Sequence, residues 1–346
     1  MGLKRIYQKA LKLENLTLEE AKILYKEAPI SELMFLAHEF RKIHKKDAKK
    51  VGWIIDRNVN ITNVCIAQCQ FCNFCRTKKS PEAYITKLNE YKQKIDEMIQ
   101  LGGNQLLLQG GMHPDLGLDY YTDLFATLKS LYPNIKLHAL SPTEVVDLAT
   151  KAKLSYKATL QELMKAGLDS LPGAGAEILS ERVRKIVSPA KCSAEQWLEV
   201  MEEAHNLLLP TSATMMFGFI ETDEERIEHL LKIRDLQAKK TANSLGFVTF
   251  VPWPYQPENT KLQKIYPKIN QASSVEYLRL LAVSRIILNN IENIQASWLT
   301  VGKEVAQLAL YGGANDLGSI MIEENVVSAA GANYTMNVSQ MKKTIL

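Results

Sequence analysis

The sequence lacks several features that would place it in a common class. No run approaches the roughly 18 consecutive apolar residues that a membrane-spanning helix needs. No basic block occurs either, because 42 basic and 38 acidic residues are well mixed and the net charge is only +4. Nucleic acid is therefore an unfavoured partner. No Gly/Ser/Pro-rich linker or low-complexity tract divides the chain, which favours a single domain.

Cysteine is scarce and unevenly placed. Of five cysteines, three stand within eight positions, which does not suit a disulfide framework and fits a reducing compartment. Residues 1–15 carry charges throughout and lack the apolar core of a signal peptide. We therefore expect a cytoplasmic protein.

The pattern of apolar segments predicts an α/β fold. With 346 residues, 46% of them hydrophobic, the chain can bury a large core. Residues 1–50 have helical periodicity and are predicted to form an N-terminal helical cap. Eight strand-like runs then alternate with amphipathic segments: residues 53–62, 105–109, 135–140, 170–172, 212–217, 247–251, 294–298 and 317–322. The alternation predicts that residues 51–346 form one (β/α)8 TIM-like barrel, with its active site at the carboxyl ends of the strands.

The loop after the first strand has a C-x3-C-x2-C spacing, formed by Cys65, Cys69 and Cys72. A structural zinc or an electron-carrying four-iron cluster takes four ligands, so three cysteines indicate a [4Fe-4S] cluster with one iron left open. The amino and carboxylate groups of S-adenosyl-L-methionine can fill that position. One electron would then release a 5′-deoxyadenosyl radical.

Cys75 adds a second, overlapping C-x2-C, so a zinc site that uses all four cysteines is an alternative. The chain has no second pair of cysteines or histidines in the layout of zinc ribbons and fingers, which favours the open cluster. Cys75 and Cys192 are interpreted as small buried residues.

Several strand ends supply candidate ligands for the cofactor. Phe71 could lie against the adenine ring, and Gln109-Gly110-Gly111 would let the methionine moiety approach the backbone closely. Ser141 is a candidate ligand as well as a helix N-cap. Glu177, after two glycines, could bind ribose hydroxyls or an ammonium group, and Arg182 could meet a carboxylate; each could equally be an ordinary helix-end or surface residue.

Other strand ends suggest substrate and proton-transfer residues. His113 and His138 are candidates for proton transfer or a substrate hydrogen bond, because both are predicted at strand ends. Trp253 and Gln256 lie in a loop constrained by two prolines. Gln295 and Ser297 are predicted to point one way from the seventh strand, flanked by Trp298. The turn at residues 312–319 lacks a P-loop lysine, which excludes nucleoside triphosphate binding.

Over residues 53–334 the chain resembles the radical S-adenosylmethionine enzymes of the futalosine route to menaquinone. The resemblance is carried by residues 54–65 (IIDRNVNITNVC), 215–218 (MMFG), 253–260 (WPYQPENT), 313–319 (GANDLGS) and 322–331 (IEENVVSAAG). Ile61 stands where the family has tyrosine, and Cys75 where tyrosine or serine is expected. The second departure argues against Cys75 as a required ligand.

The resemblance implies an oxidoreductase that cyclises dehypoxanthine futalosine. The deoxyadenosyl radical would abstract hydrogen from C4′ of the ribose unit, and the carbon radical would add to the attached benzoate ring. Candidate partners for the benzoate are Arg285, Gln295 and Asn315, and Glu177, Asp316 or a histidine would take the ring proton. A flavodoxin- or ferredoxin-class protein would donate the electron. Two alternatives stay open: an aminofutalosine synthase-type reaction, and a non-enzymatic iron-sulfur or zinc-binding protein.

Overall fold

Eight parallel strands form the centre of the computed structural model, which describes residues 2–44, 50–269 and 271–345. The strands are β1 (Gly52–Ile54), β2 (Asp56–Asn60), β3 (Gln105–Gln109), β4 (Lys136–Ala139), β5 (Thr211–Phe217), β6 (Phe247–Pro254), β7 (Asn293–Ile294) and β8 (Asp316–Ser319).

The strands pair into a ring. β1 pairs with β8, β2 with β3 and β3 with β4, and β5, β6 and β7 form a third group. Short parallel bridges join these groups, at His138–Ser170, Leu171–Thr211 and Gln295–Asp316. Because β1 runs almost directly into β2, the ring closes into the predicted barrel.

Fifteen α-helices lie in the described part of the chain. They are α1 (Leu3–Leu11), α2 (Leu18–Glu27), α3 (Ile30–His44), α4 (Leu88–Gln100), α5 (Leu118–Leu131), α6 (Pro142–Ala152), α7 (Tyr156–Ala166), α8 (Glu181–Val187), α9 (Ala194–Asn206), α10 (Asp223–Lys239), α11 (Lys261–Ile265), α12 (Ser274–Ile287), α13 (Trp298–Val301), α14 (Lys303–Tyr311) and α15 (Val338–Ile345).

Alternation along the strands divides the apolar core from the barrel interior. In β3, Leu106 and Leu108 are fully buried in the apolar core, whereas Gln105, Leu107 and Gln109 line the interior. Successive strand side chains point to opposite faces, so the three inward positions carry two amides and one leucine. The interior of this barrel is therefore polar.

The first three helices pack against the outside of the barrel, on α10, α12 and α14. Thr17 caps α2 in a capping box with Glu20, as its sequence predicts. Arg226 of α10 donates to the Tyr25 hydroxyl at 2.7 Å, and Arg279 of α12 donates to the Ala28 carbonyl at 2.8 Å. These bonds attach the helices to the barrel wall.

The structure departs from the predicted strands at several places. The predicted run 53–62 forms two strands, β1 and β2, and the predicted run 317–322 ends at Ser319. Residues 170–172 contribute single bridges and no strand, and the seventh strand stops at Ile294. Trp298 already belongs to α13, so Gln295, Ser297 and Trp298 do not alternate along one strand as predicted. In the described residues, every helix is too short or too polar to traverse a bilayer.

Candidate active site

A cavity of about 840 Å³ occupies the barrel interior and continues up to the cysteine loop. We call this cavity the lumen. TIM-barrel interiors are ordinarily packed with branched apolar side chains, whereas here the inward positions of the first strands are largely polar. The inward residues of β2, β3 and β4 that are paired across the strands form three levels. From the amino to the carboxyl ends of the strands, these levels are Asp56, Gln105 and Lys136; then Asn58, Leu107 and His138; then Asn60 and Gln109. The lumen is thus lined to receive a polar ligand.

The cysteine loop forms part of the lumen wall. Cys65, Cys69 and Cys72 all line the cavity. The Cys65 sulfur accepts hydrogen bonds from the backbone N–H groups of Ala67, at 3.4 Å, and Met112, at 3.3 Å. Backbone donors of this kind stabilise a thiolate, the form that binds metal.

Cys75 also lines the lumen and lies beside Cys72. A hydrogen bond from Cys75 lowers the pKa of Cys72, although burial opposes the shift, and the same bond raises the pKa of Cys75. Of this pair, Cys72 is therefore the thiolate and Cys75 the protonated donor.

The cysteine arrangement fits a cluster better than a single ion. Among the described residues, no three or more Cys, His, Asp or Glu side chains gather around one point as a mononuclear zinc site requires. In a four-iron cluster each thiolate holds a different iron, so its ligands stand apart. Cys65, Cys69 and Cys72 are the residues that would hold such a cluster.

Gly111 shows how closely the third-strand loop approaches the cysteines. A Cβ at Gly111 would lie 2.2 Å from the Val64 carbonyl oxygen and 2.8 Å from the Cys65 Cβ. At Gly110 it would lie 3.1 Å from the Thr62 backbone. Position 111 therefore excludes a side chain, because the cysteine loop lies against it. The close approach of a ligand to this backbone stays a prediction.

Glu177 lies in a cluster of charges beside the cysteine loop. It is buried at a positive φ of 40°, and its Oε1 accepts a 2.8 Å bond from Lys191. Arg184 stands 3.7 Å from Oε2. Burial opposes the charge on Lys191, but Cys69 and Glu177 together raise its pKa. Lys191 also lies 5.5 Å from the centre of the Phe71 ring, which lines the lumen as well.

Ser141 caps α6 at the carboxyl end of β4 and donates to Glu144 Oε2 at 2.8 Å. Burial raises the pKa of Glu144 to about 8, so this carboxyl is protonated at neutral pH. Sequence reasoning interpreted Glu144 only as a helix-start residue and missed its place in the lumen. The signal was the capping pair itself, since a strand-end cap in this fold faces the active site.

His138 and Asp56 lie deeper in the lumen. His138 is hydrogen-bonded to the Ser170 hydroxyl at 2.7 Å, and burial lowers its pKa to about 4. It is therefore a neutral hydrogen-bonding group. Burial raises the pKa of Asp56 to about 6, and the Ser319 hydroxyl donates to it. Asp56 was not among the predicted site residues, although the alternation of β2 places it inward.

The later strand ends bring a second set of predicted residues to the lumen. Trp253, Gln295, Ser297, Trp298 and Asp316 all line it. The indole of Trp298 donates to the Ser319 carbonyl at 3.0 Å. These side chains face the cysteine loop across one cavity.

The structure does not bring five predicted residues to the lumen: Arg182, Arg285, Asn315, Gln256 and His113. Each is engaged elsewhere. Arg182 is half exposed and pairs with Glu225. Fully buried Arg285 donates to Asn315 Oδ1 at 2.5 Å and to three carbonyls.

Gln256 and His113 form hydrogen bonds with residues close to them in sequence. Gln256 donates to the Pro254 carbonyl at 2.9 Å. His113 Nδ1 accepts from the Asp115 N–H at 3.1 Å, and burial lowers its pKa. Cys192 lies outside the lumen too, buried beside Thr143 at 3.3 Å, as expected for a packing residue.

Five buried polar atoms of the lumen wall have no hydrogen-bond partner. They are Asn58 Oδ1, Asn60 Nδ2, Glu144 Oε1, Glu177 Oε2 and Thr249 Oγ1. Buried polar groups in folded proteins are almost always paired. Unpaired atoms of residues that line one cavity therefore point to polar ligands as their partners.

The segment after β8 closes the lumen from above, with Met321, Glu324, Val326 and Val327 on its lining side. We call this segment the roof. Glu323 attaches it to the barrel, accepting from Arg57 Nε at 3.0 Å and pairing with Lys94. Asn73 of the cysteine loop donates to the Ala329 carbonyl at 2.9 Å. A hydrogen bond thus connects the roof to the cysteine loop.

Comparison with known families divides the chain into two matched parts. Residues 59–233 match the radical SAM superfamily, and residues 244–346 match the CofH/MqnC C-terminal region. The first match contains the cysteine loop, Gly111 and Glu177, and the second contains Gln295, Asp316 and the roof.

Curated relatives cover most of the chain. It is 44% identical to a cyclic dehypoxanthine futalosine synthase of Streptomyces coelicolor over 93% of this chain and 79% of that protein. It is 41% identical to a synthase of the same name from Halalkalibacterium halodurans, over 100% of this chain and 91% of that protein. It is also 39% identical to a 5-amino-6-(D-ribitylamino)uracil–L-tyrosine 4-hydroxyphenyl transferase of Methanosarcina barkeri, over 93% of this chain and 82% of that protein.

Solved structures share the fold. Methylornithine synthase superposes with a TM-score of 0.70 at 18% identity, covering 98% of this chain and 94% of that one. The [FeFe]-hydrogenase maturase HydG of Carboxydothermus hydrogenoformans superposes with a TM-score of 0.72 at 16% identity, covering 99% of this chain and 77% of that one.

Proposed function

This chain belongs to the radical SAM superfamily, and we propose that it cyclises dehypoxanthine futalosine to cyclic dehypoxanthine futalosine in menaquinone biosynthesis. The observation that carries the proposal is the 44% identity to a synthase of that name, continuous over 93% of the chain. The lumen supports it, since about 840 Å³ lies within the range of sites that enclose small molecules.

Cys65, Cys69 and Cys72 would hold a [4Fe-4S] cluster, with S-adenosyl-L-methionine at the open iron. When bound, the pair supplies the primary carbon radical that starts the reaction. Gly110 and Gly111 give the methionine moiety access to the backbone. Phe71, Ser141 and Glu177 line the same end of the lumen and complete this proposed cofactor site.

The residues of the lumen serve the substrate by positioning it and excluding water. A reactive carbon radical attacks nearby C–H bonds, so the wall must hold one hydrogen in reach and keep others away. Neutral His138, Gln295 and Ser297 offer hydrogen bonds without adding charge, and Trp253 and Trp298 offer flat apolar surfaces for an aromatic ring.

Among the carboxyl groups of the lumen, we assign Asp316 to the ring proton. Glu177, the other carboxylate predicted for this role, lies beside the cysteine loop with Lys191 and Arg184, where we place the cofactor. Glu144 is protonated at neutral pH. Asp316 lines the lumen on β8, next to Gln295 of β7. Asp316→Asn should therefore still form 5′-deoxyadenosine but lose most of the cyclic product.

The deciding assay supplies substrates to the anaerobically reconstituted, reduced protein with adenosylmethionine. One reaction contains dehypoxanthine futalosine, and a parallel one contains 5-amino-6-(D-ribitylamino)uracil with tyrosine, because identity to the transferases is only slightly lower. A product lighter than dehypoxanthine futalosine by two hydrogens supports the proposal. Turnover in the second reaction alone would replace it with the transferase reaction. A flavodoxin- or ferredoxin-class donor should substitute for the chemical reductant.

A further inference from the structure

Asn60 has an unused hydrogen-bond donor at the upper level of the lumen. Its side chain is buried, with 3% of the residue exposed, and lines the cavity at the carboxyl end of β2. Its Nδ2 has no hydrogen-bond partner. Among the described residues that line the lumen, no other buried side-chain nitrogen lacks a partner.

The orientation of the Asn60 amide is determined by the roof. Asn325 donates from Nδ2 to Asn60 Oδ1 at 3.1 Å and to Glu323 Oε1 at 2.8 Å. Arg57 and Lys94 in turn hold Glu323. Because Asn60 Oδ1 is occupied by a donor, the amide cannot turn over without losing that bond, and Nδ2 stays the end of the amide that has no partner.

The charged groups suited to a carboxylate are already engaged. Of the three partners that the sequence suggested for the benzoate, Arg285 and Asn315 bind each other and nearby backbone, whereas Gln295 lines the lumen. Lys191 is paired with Glu177. The remaining donors for an anionic oxygen are therefore uncharged amides such as those of Gln295 and Asn60, and of these Asn60 Nδ2 is buried without a partner.

Asn58 complements Asn60 on the same face of β2. Its unpaired atom is Oδ1, an acceptor, which suits a sugar hydroxyl and not a carboxylate. We propose that Asn60 Nδ2 binds the benzoate carboxylate of the substrate while Asn58 Oδ1 accepts from a ribose hydroxyl. The inference rests on the proposed function, since it takes its ligand from that reaction.

The test compares Asn60→Asp with Asn58→Asp in the cluster-loaded protein. Both changes add a carboxylate of the same shape to the same wall. In Asn58→Asp the new carboxylate can still accept from a hydroxyl, whereas in Asn60→Asp it replaces the donor and repels the carboxylate of the substrate. Affinities for dehypoxanthine futalosine and for adenosylmethionine are measured by anaerobic calorimetry without reductant, so that no turnover occurs.

We expect Asn60→Asp to weaken substrate binding about 10- to 100-fold, the range for losing a hydrogen bond to a charged group. Asn58→Asp should change it by less than about fivefold, and adenosylmethionine affinity should stay within about twofold in both, which also shows that the variants fold. Should Asn60→Asp misfold, Asn325→Ala, which removes the orienting bond together with the bond to Glu323, should weaken substrate binding about threefold or more.

Equal effects of the two substitutions, an unchanged substrate affinity, or a matching loss of adenosylmethionine affinity in Asn60→Asp would each overturn the assignment. If the wild-type protein binds dehypoxanthine futalosine without cyclising it, the proposed function fails while the variants still decide the role of Asn60. If the wild-type protein does not bind it, both proposals are overturned.

Discussion

Arg285→Gln distinguishes a structural arginine from a substrate ligand. Arg285 is fully buried and donates to the carbonyls of Gly313, Ile291 and Glu292 and to Asn315 Oδ1, at 2.5–3.2 Å. Burial lowers its pKa to about 9, so the group stays charged at neutral pH. These bonds connect α12 to the segments that flank β7 and β8.

The magnitude follows from the acceptors that glutamine would leave unpaired. Asn315 Oδ1 keeps its bond from the Ile294 N–H, so three carbonyls depend on Arg285. A shorter side chain with one NH2 group can serve one of them, and each of the two left without a donor costs about 1–3 kcal/mol. We therefore expect a loss of about 2–6 kcal/mol and a melting temperature lower by roughly 4–15 °C. Anaerobic thermal unfolding of the cluster-loaded protein measures this. KM for dehypoxanthine futalosine, measured well below the transition, should stay within about twofold.

Arg182→Gln is the matched control. Arg182 is half exposed, and its pair with Glu225 lies at the surface, where ion pairs contribute about 0–1 kcal/mol. Arg182→Gln should therefore lower the melting temperature by no more than about 3 °C. A stable Arg285→Gln protein with a strongly raised KM would refute the structural assignment and return Arg285 to the substrate site.

Three further outcomes are expected from the site. Cys75→Ser should retain full iron content, whereas Ser at Cys65, Cys69 or Cys72 should each abolish the four-iron absorbance; loss of iron in Cys75→Ser would restore the four-cysteine interpretation. Gly111→Ala should lower adenosylmethionine affinity at least about tenfold, because the added Cβ would lie 2.2 Å from the Val64 carbonyl oxygen, while Gly117→Ala, whose Cβ would meet nothing within 4 Å, should not. Glu144→Gln should become progressively more stable relative to wild type as pH rises from about 5 to 8. The pKa of Glu144 in the folded state, about 8, lies above its unfolded value, so the wild-type protein loses up to about 1.4 kcal/mol of stability per pH unit in that window. Parallel melting curves of the two proteins across this range would contradict the shifted pKa.

Most of the strands and the cysteine loop could be predicted because both depend on local pattern. Runs such as Gln105–Gln109 have the period and length of a strand, and the spacing of Cys65, Cys69 and Cys72 restricts the metal chemistry regardless of the surrounding fold. Gly111 was predicted to allow the close approach of a ligand, whereas the approach that the structure shows is that of the Val64 carbonyl. Residues 170–172 were predicted as a strand, but only two single bridges formed.

The roles of Arg285 and Asn315 could not be predicted, because sequence position does not specify where a long side chain points. Arg285 lies in α12, before β7, and Asn315 immediately precedes β8, whereas barrel enzymes place catalytic groups at the carboxyl ends of strands. In the structure, Asn315 Oδ1 accepts from the Ile294 N–H at 2.9 Å and from Arg285. Irregular backbone around a strand of two residues leaves polar groups that must be paired, and this pair supplies the partners.

The polarity of the lumen was nevertheless present in the sequence, in the order of residues along β2. Asp56, Asn58 and Asn60 alternate with Arg57 and Val59, so one whole face of a central strand is polar. In a closed barrel the face opposite the helices can only point inward, and burying three polar side chains without partners is unfavourable. The alternation therefore indicates a ligand that pairs with them. The structure adds which atoms remain unpaired, Asn58 Oδ1 and Asn60 Nδ2, and this is the information that assigns a hydroxyl to one and a carboxylate to the other.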